Sequence, residues 1–236
     1  MKLTFTRREF KYVLPYYLLS ESINYFSAIL QPDTYNIDRK PYTVRSMYFD
    51  SDNFTFYTDK ISGAPFRQKI RLRTYSDPSC KGCVFLEVKN KHFEKMFKER
   101  KLFEKIPEKF WETYNFSHLK NGGEDSVVEK CLYYQKVYNV KPVVCVYYQR
   151  YSFVDERLNF KVSLDFDLRS TKEINLWAPA DMMSPMLRDK FVLELKYDRM
   201  IPSVFMDFVS QYGLSREPNS KYCSSVERSY SNIFVR

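Results

Sequence analysis

Glycine is scarce in this chain, with 5 among 236 residues, and no apolar run approaches the roughly 20 residues that a helix needs to cross a bilayer. The longest apolar stretches are Pro142 to Tyr148 and Phe191 to Leu195, so no membrane span is expected. The first residues, Met1 to Arg8, carry charge with no apolar core behind it and do not read as a signal peptide. Histidine is limited to His92 and His118, and neither obviously completes a zinc site with Cys80 and Cys83. The stretch Cys80-Lys81-Gly82-Cys83 reads as a hairpin loop, with metal or redox use as the lesser alternative. Five cysteines form an odd set, which places the chain in a reducing compartment and gives a cytoplasmic location as the expectation. No internal repeat, low-complexity tract or linker is visible, so residues 1–236 read as a single domain.

Aromatic residues are abundant instead. Twenty Tyr and 20 Phe, with a hydrophobic fraction of 44%, argue against disorder and lean toward β-structure. The formal charge of +9 implies a field that attracts anions, whether nucleic acid, anionic lipid or phosphorylated small molecules. A nucleic-acid role is disfavoured, because the basic residues alternate inside strand-like segments and no stacking motif accompanies them.

Hydrophobic periodicity divides the chain into eight strands: Phe5 to Val13, Val44 to Asp50, Phe66 to Ser76, Gly82 to Lys91, Met96 to Phe103, Pro142 to Phe153, Lys161 to Leu168 and Lys190 to Tyr197. Helices are expected over Tyr16 to Leu30, where apolar residues recur at three-to-four spacing, and over Asn53 to Ile61. Further helices are expected between Pro107 and Tyr138 and over Pro202 to Tyr212, followed by a tail containing Ser220-Lys221-Tyr222. The fold class is therefore α+β, a closed eight-stranded antiparallel β-barrel flanked by helices.

Within these strands charged or polar residues fall at every second position, hence on one face. Arg7, Glu9 and Lys11 form one such stripe; Lys69, Arg71 and Arg73 another; Glu87, Lys89 and Lys91 a third. Tyr148 with Arg150, Asp165 with Asp167, and Glu194 with Lys196 complete the set. Each stripe alone is most simply a solvated strand face, and Asp165 and Asp167 have the simple reading of partners for nearby arginines. Taken together inside a barrel, the stripes describe a cavity lined with cations and a few carboxylates. Burying so many cations without a ligand costs several kcal/mol apiece, so the arrangement suits a phosphate chain.

In order and spacing, several segments resemble the vacuolar transporter chaperone (VTC) domain, the polyphosphate polymerase branch of the triphosphate tunnel metalloenzymes. They are Arg7-Arg8-Glu9-Phe10-Lys11-Tyr12, Ser46-Met47-Tyr48-Phe49-Asp50-Ser51, Lys69-Ile70-Arg71-Leu72-Arg73 and Leu86-Glu87-Val88-Lys89. The remainder are Tyr148-Gln149-Arg150, Leu164-Asp165, Leu193-Glu194-Leu195-Lys196-Tyr197 and Ser220-Lys221-Tyr222. The resemblance runs from about Thr6 to about Val226. It implies a tunnel in which Lys11, Lys69, Arg71, Arg73, Lys89, Lys98, Tyr148, Arg150, Lys196 and Lys221 hold phosphate. Glu194 would be the ligand of Mn2+ or Mg2+, helped by Glu9, Glu87 or Asp165. Arg71, Arg73, Arg150, Lys89 and Glu194 form the implied catalytic set.

Two departures stand out. Arg7 occupies a position that is acidic in the wider superfamily, which removes one metal ligand and fits the polymerase branch better than the triphosphatase or cyclase branches. Pro218 stands where eukaryotic polymerase members carry a second tail lysine. The implied function is transfer of the γ-phosphate of ATP to a growing inorganic polyphosphate chain, primed by polyphosphate or diphosphate, with release of ADP. Hydrolysis of inorganic or nucleoside triphosphate in the same tunnel is the alternative, as is a non-catalytic module that binds polyphosphate or inositol phosphates. The resemblance also admits a membrane partner protein.

Overall fold

Alternation of period two organises the molecule. The computed structural model describes residues 2–5, 8–36, 40–75, 82–93, 95–120, 125–198 and 200–234. The charged stripes turn to one side of a single sheet, and the apolar stripes between them face the other.

The strands are β1 (Lys2–Phe5), β2 (Arg8–Pro15), β3 (Gln31–Pro32), β4 (Tyr42–Asp50), β5 (Phe66–Thr74), β6 (Val84–His92), β7 (Lys95–Phe103), β8 (Lys141–Asp155), β9 (Phe160–Thr171), β10 (Ser184–Pro185) and β11 (Lys190–Tyr197). The α-helices are α1 (Leu19–Ile29), α2 (Thr55–Ile61), α3 (Glu108–Thr113), α4 (Ser126–Tyr138), α5 (Ser203–Gln211), α6 (Lys221–Ser229) and α7 (Ser231–Phe234). All eight expected strands are present, β1, β3 and β10 are additional, and all strand pairs are antiparallel.

The ladder follows the order β1-β7-β6-β5-β4-β8-β9-β11-β2, with β10 on β9 and β3 on β8. It does not close, which corrects the expectation of a closed eight-stranded barrel. The strand expected over Phe5 to Val13 is observed as β2, and the additional β1 precedes it. β1 pairs with β7 at one edge, and β2 pairs with β11 at the other. Among the described residues no backbone ladder joins β1 to β2. The sheet is nonetheless curled, so that Glu9 on β2 lines one cavity together with Lys89 on β6 and Lys98 on β7.

Two apolar clusters cover the outer face. In one, Met47, Ile70, Leu72, Leu86 and Val88 pack under Phe110 of α3 and Val128 and Cys131 of α4. In the other, Leu14, Leu164, Leu193 and Leu195 pack under Phe26 of α1 and Phe205 and Phe208 of α5. Phe26 is fully buried, with its ring centroid 4.9 Å from that of Phe208, and burial of such a side chain stabilises by about 2 to 3 kcal/mol. Pro15 precedes a single 3-10 turn, Tyr16–Leu18, before α1 begins, so the helix is shorter than its periodicity suggests. No helix among the described residues is long and apolar enough to cross a membrane.

A third cluster lies on the inner face. Val44, Val144, Val146 and Val192 pack against Tyr222, Cys223 and Val226 of α6. The segment read from sequence as a tail is thus a helix seated on the same side of the sheet as the charged stripes. Its anchor is the fully buried Asp50 at the end of β4, whose carboxylate accepts hydrogen bonds from the backbone N–H groups of Phe56 and Tyr57 (both 2.9 Å) in α2 and from the Tyr222 hydroxyl.

With glycine scarce, non-glycine residues fill left-handed positions at helix ends: Phe54 before α2, Tyr114 after α3 and Asn139 after α4, with φ between 51° and 53°. Asp167, at φ 48°, sits where the β8–β9 register slips between Tyr147 and Gln149. The slip separates two aspartates that strict alternation would keep together. Asp165 is fully buried, whereas Asp167 is partly exposed and accepts from Arg169 Nε at 2.7 Å.

Candidate functional site

The inner stripes surround a cavity of about 980 Å³. Among the described residues its wall carries fourteen Lys and Arg side chains against six carboxylates. The position of each cation follows from strand register. Lys69, Arg71 and Arg73 succeed one another along β5; Lys69 stands opposite Lys89 on β6, which in turn stands opposite Lys98 on β7. Lys11 on β2 stands opposite Glu194 on β11, and Glu9 opposite Lys196.

Three carboxylate groupings hold part of this charge. In the first, Glu87 receives Arg71 Nε at 2.7 Å and Arg71 Nη2 at 2.5 Å on Oε2, while Lys98 pairs with Oε1. Burial pushes the Glu87 carboxyl up, but Arg71, Arg73 and Lys98 outweigh it and hold the group well below the usual carboxylate range. Arg71 Nη1 also donates to the Tyr48 hydroxyl at 3.2 Å. Burial raises that phenol, yet the charges of Arg71, Arg73 and Lys69 bring it down to about 7.

In the second grouping Lys11 Nζ lies 2.8 Å from Glu9 Oε1 and 3.9 Å from Glu194 Oε2. Glu194 also pairs with Lys196, and its Oε2 lies 3.9 Å from Arg150 Nη2. Burial and the charge of Glu194 raise Glu9, but Lys11, Lys196 and Lys89 lower it to about 2. In the third, Asp165 takes Arg150 Nε at 2.5 Å on Oδ1 and Arg150 Nη2 at 2.7 Å on Oδ2, with Lys221 Nζ 2.5 Å from Oδ2. The Tyr148 ring supports both cations, at 5.2 Å from the Arg150 guanidinium and 4.8 Å from the Lys221 ammonium.

Other cations face the cavity with no carboxylate within ion-pair distance among the described residues. Arg73 Nε donates to Ser46 Oγ at 3.0 Å, and Lys69 Nζ to Ser220 Oγ at 2.9 Å. Lys89 stands out. Burial lowers its ammonium to about 7, Arg71, Lys196 and Lys98 reinforce the shift, and Glu9 only partly opposes it. Lys98 is likewise lowered to about 8, chiefly by burial, despite its contact with Glu87. The cavity holds cationic groups that give up their protons easily, which is the condition a polyanion relieves.

All ten residues read from sequence as phosphate holders, from Lys11 to Lys221, line this cavity. The four acidic residues do not share one place. Glu87 is engaged by Arg71 and Lys98, and Asp165 lies off the wall with both oxygens taken by Arg150 and Lys221. No group of three or more His, Cys, Asp or Glu side chains able to hold a metal occurs among the described residues. Glu9 and Glu194 face the cavity and meet at Lys11, though both are engaged by cations as well, Glu9 by Lys11 and Glu194 by Lys196.

Several lining residues were missed by the sequence reading. Arg67 and Arg100 continue the alternations of Lys69 and Lys98 and were legible. Lys60 comes from α2, where no charged stripe marks it, whereas Lys161 on β9 stands two alternations before Asp165 and was legible. Pro218 lines the cavity; Arg7 and Cys80 lie outside the described residues, and Cys83 is exposed.

Solved structures share this architecture at low identity. A candidate adenylate cyclase from Bacillus halodurans aligns with a TM-score of 0.57 at 12% identity, covering 97% of this chain and 98% of that one. A Hippeastrum protein, described as a candidate adenylyl cyclase with a dominant triphosphatase activity, aligns at 0.53 and 14% identity, covering 97% of both chains. No curated protein matches. At these identities the neighbours speak for a triphosphate tunnel-like fold alone, whereas a family model matches the sequence itself over residues 6–230, a span that takes in every cavity-lining strand and the helix behind Lys221. The chain belongs to the VTC domain family.

Proposed function

We propose that this chain is an ATP-dependent polyphosphate polymerase, moving the γ-phosphate of ATP onto the end of an inorganic polyphosphate or diphosphate and releasing ADP. The observation that carries the reading is the excess of fourteen cationic side chains over six carboxylates in one cavity of about 980 Å³. A single nucleoside triphosphate with its divalent ion brings less negative charge than that surplus, which leaves cationic wall for a second phosphate chain as acceptor.

Phosphoryl transfer asks the protein mainly to position groups and neutralise charge. Arg71, Arg73 and Arg150 offer planar forks that grip two oxygens at once, suited to the transferred phosphoryl and the leaving diphosphate of ADP. Lys11, Lys69, Lys89, Lys98, Lys196 and Lys221 guide the acceptor, and the Tyr148 hydroxyl adds a donor. A terminal oxygen of the acceptor attacks the γ-phosphorus, and the bond to the β-bridging oxygen breaks. Glu9 and Glu194 would hold Mn2+ or Mg2+, which when bound offsets charge on the phosphate oxygens.

The test is incubation of the protein with ATP and Mn2+, with and without diphosphate, resolving products on a gel stained for polyphosphate. A polymer ladder with matching ADP is the expected result, lost in Arg71→Ala and Glu194→Ala. Free phosphate without polymer would assign a triphosphatase. Binding without turnover would assign a phosphate-chain receptor.

A further inference from the structure

We propose that Tyr35, Tyr42 and Tyr75 form a seat for the base of the nucleoside triphosphate, next to the cationic rows that hold its phosphates. The proposal rests on the nucleotide-using reading above and deepens it.

The three rings form a mutual cluster, with centroids 4.9 Å apart for Tyr35 and Tyr75, 5.5 Å for Tyr35 and Tyr42, and 6.0 Å for Tyr42 and Tyr75. All three line the same cavity as the arginines. Their placement follows from strand alternation. Tyr75 follows Lys69, Arg71 and Arg73 at the same two-residue spacing, just past the end of β5, one step of about 7 Å beyond Arg73. Tyr42 stands opposite Arg150 across the β4–β8 ladder. The row therefore runs from phosphate-type donors straight into rings.

The cluster is only partly consumed by its own packing. Tyr42 is buried, but Tyr35 remains 44% exposed although it touches two other rings. That open surface belongs to a ring on the cavity wall, within reach of a ligand. The Arg73 guanidinium stands 6.0 Å from the Tyr75 centroid, so one side chain lies against both the ring and the phosphate row. A flat, aromatic, weakly polar group tethered to a phosphate chain satisfies both halves at once, and a nucleobase has that chemistry. Because stacking reads the π-face rather than the base edge, the seat favours purines over pyrimidines and discriminates weakly between adenine and guanine.

The test compares ATP with inorganic triphosphate by isothermal titration on the full chain without metal. Tyr35→Ala should weaken ATP about tenfold, a loss typical of one stacking partner, and leave inorganic triphosphate within about twofold. Tyr35→Phe should restore ATP binding, and Tyr75→Ala, made independently, should repeat the split. Equal weakening of both ligands, or no weakening of either, would overturn the seat. The split without any polymer synthesis would remove the polymerase reading and keep the seat; polymer synthesis without the split would do the reverse.

Discussion

Lys221 reaches out of the first turn of α6 to place its ammonium 2.5 Å from Asp165 Oδ2 in the middle of β9, sharing that buried carboxylate with Arg150. One acidic residue thereby fixes cations from two distant parts of the chain. Asp165 is held below the usual carboxylate range, because Arg150 and Lys221 outweigh the upward push of burial.

Removing that charge leaves two buried cations facing each other. Asp165→Asn is expected to cost about 3 kcal/mol, the scale for breaking a buried ion pair from one side. Denaturant unfolding checks it. In the double variant Asp165→Asn with Lys221→Met the loss should fall short of the sum of the two single losses, since the second change removes a charge the first had stranded.

Acid should unfold the protein by way of the same carboxylates. Glu9, Glu87, Asp165 and Glu194 all have folded values below their ordinary ones, so the stability they contribute is present above the ordinary value and lost as pH falls through the folded one. For Glu9 that window runs from 4.5 down to about 2. Stability measured by urea unfolding should decline across this range, and Glu9→Gln should flatten part of the decline.

Lys89 should behave oppositely with respect to ligand. Its value of about 7 must rise when a polyanion binds, so binding takes up a proton and weakens as pH climbs above 7. Tyr48, also near 7, contributes with the same sign, since a phenolate must be protonated to accept an anion beside it. Titration of inorganic triphosphate at pH 7 in two buffers of different ionisation enthalpy should show proton uptake, reduced in Lys89→Met. That variant should also match or exceed the wild type in stability without ligand, because an unpaired buried charge is gone, while binding triphosphate at least tenfold more weakly.

Metal dependence should track one pair of carboxylates. Glu194→Gln and Glu9→Gln are expected to weaken Mn2+ binding in the presence of triphosphate by about tenfold or more, and Lys161→Met to leave it within about twofold. Manganese electron paramagnetic resonance measures free and bound ion directly. Equal loss in all three variants would point to general electrostatics rather than ligation.

Hydrophobic alternation is a local property, and the sequence by itself determined what depends on it. Lys69, Arg71 and Arg73 must share a face because side chains in a strand alternate, and all three line the cavity; Lys98 and Lys221, which only the family resemblance had marked, line it as well. The four α-helices that carry the outer clusters were marked by apolar spacing, Phe26 and Phe205 among their buried residues.

What only the tertiary structure decided is what lies across from what. No local pattern tells residues 2–15 to divide between two sheet edges, so the ladder stays open where a closed barrel was expected. A slip of one residue near Asp167 undoes its equivalence with Asp165, because side-chain direction reverses with each residue. The helical character of Lys221–Ser229 was hidden because its apolar residues Tyr222, Cys223 and Val226 are few and interspersed with polar ones, and the helix depends on Asp50 and the valines of β4 and β8 to hold it. Which cation a carboxylate pairs with is likewise settled by distance. Burial strengthens every charge interaction in the cavity, so proximity set by the curl of the sheet, rather than residue type, assigns each charged side chain its partner.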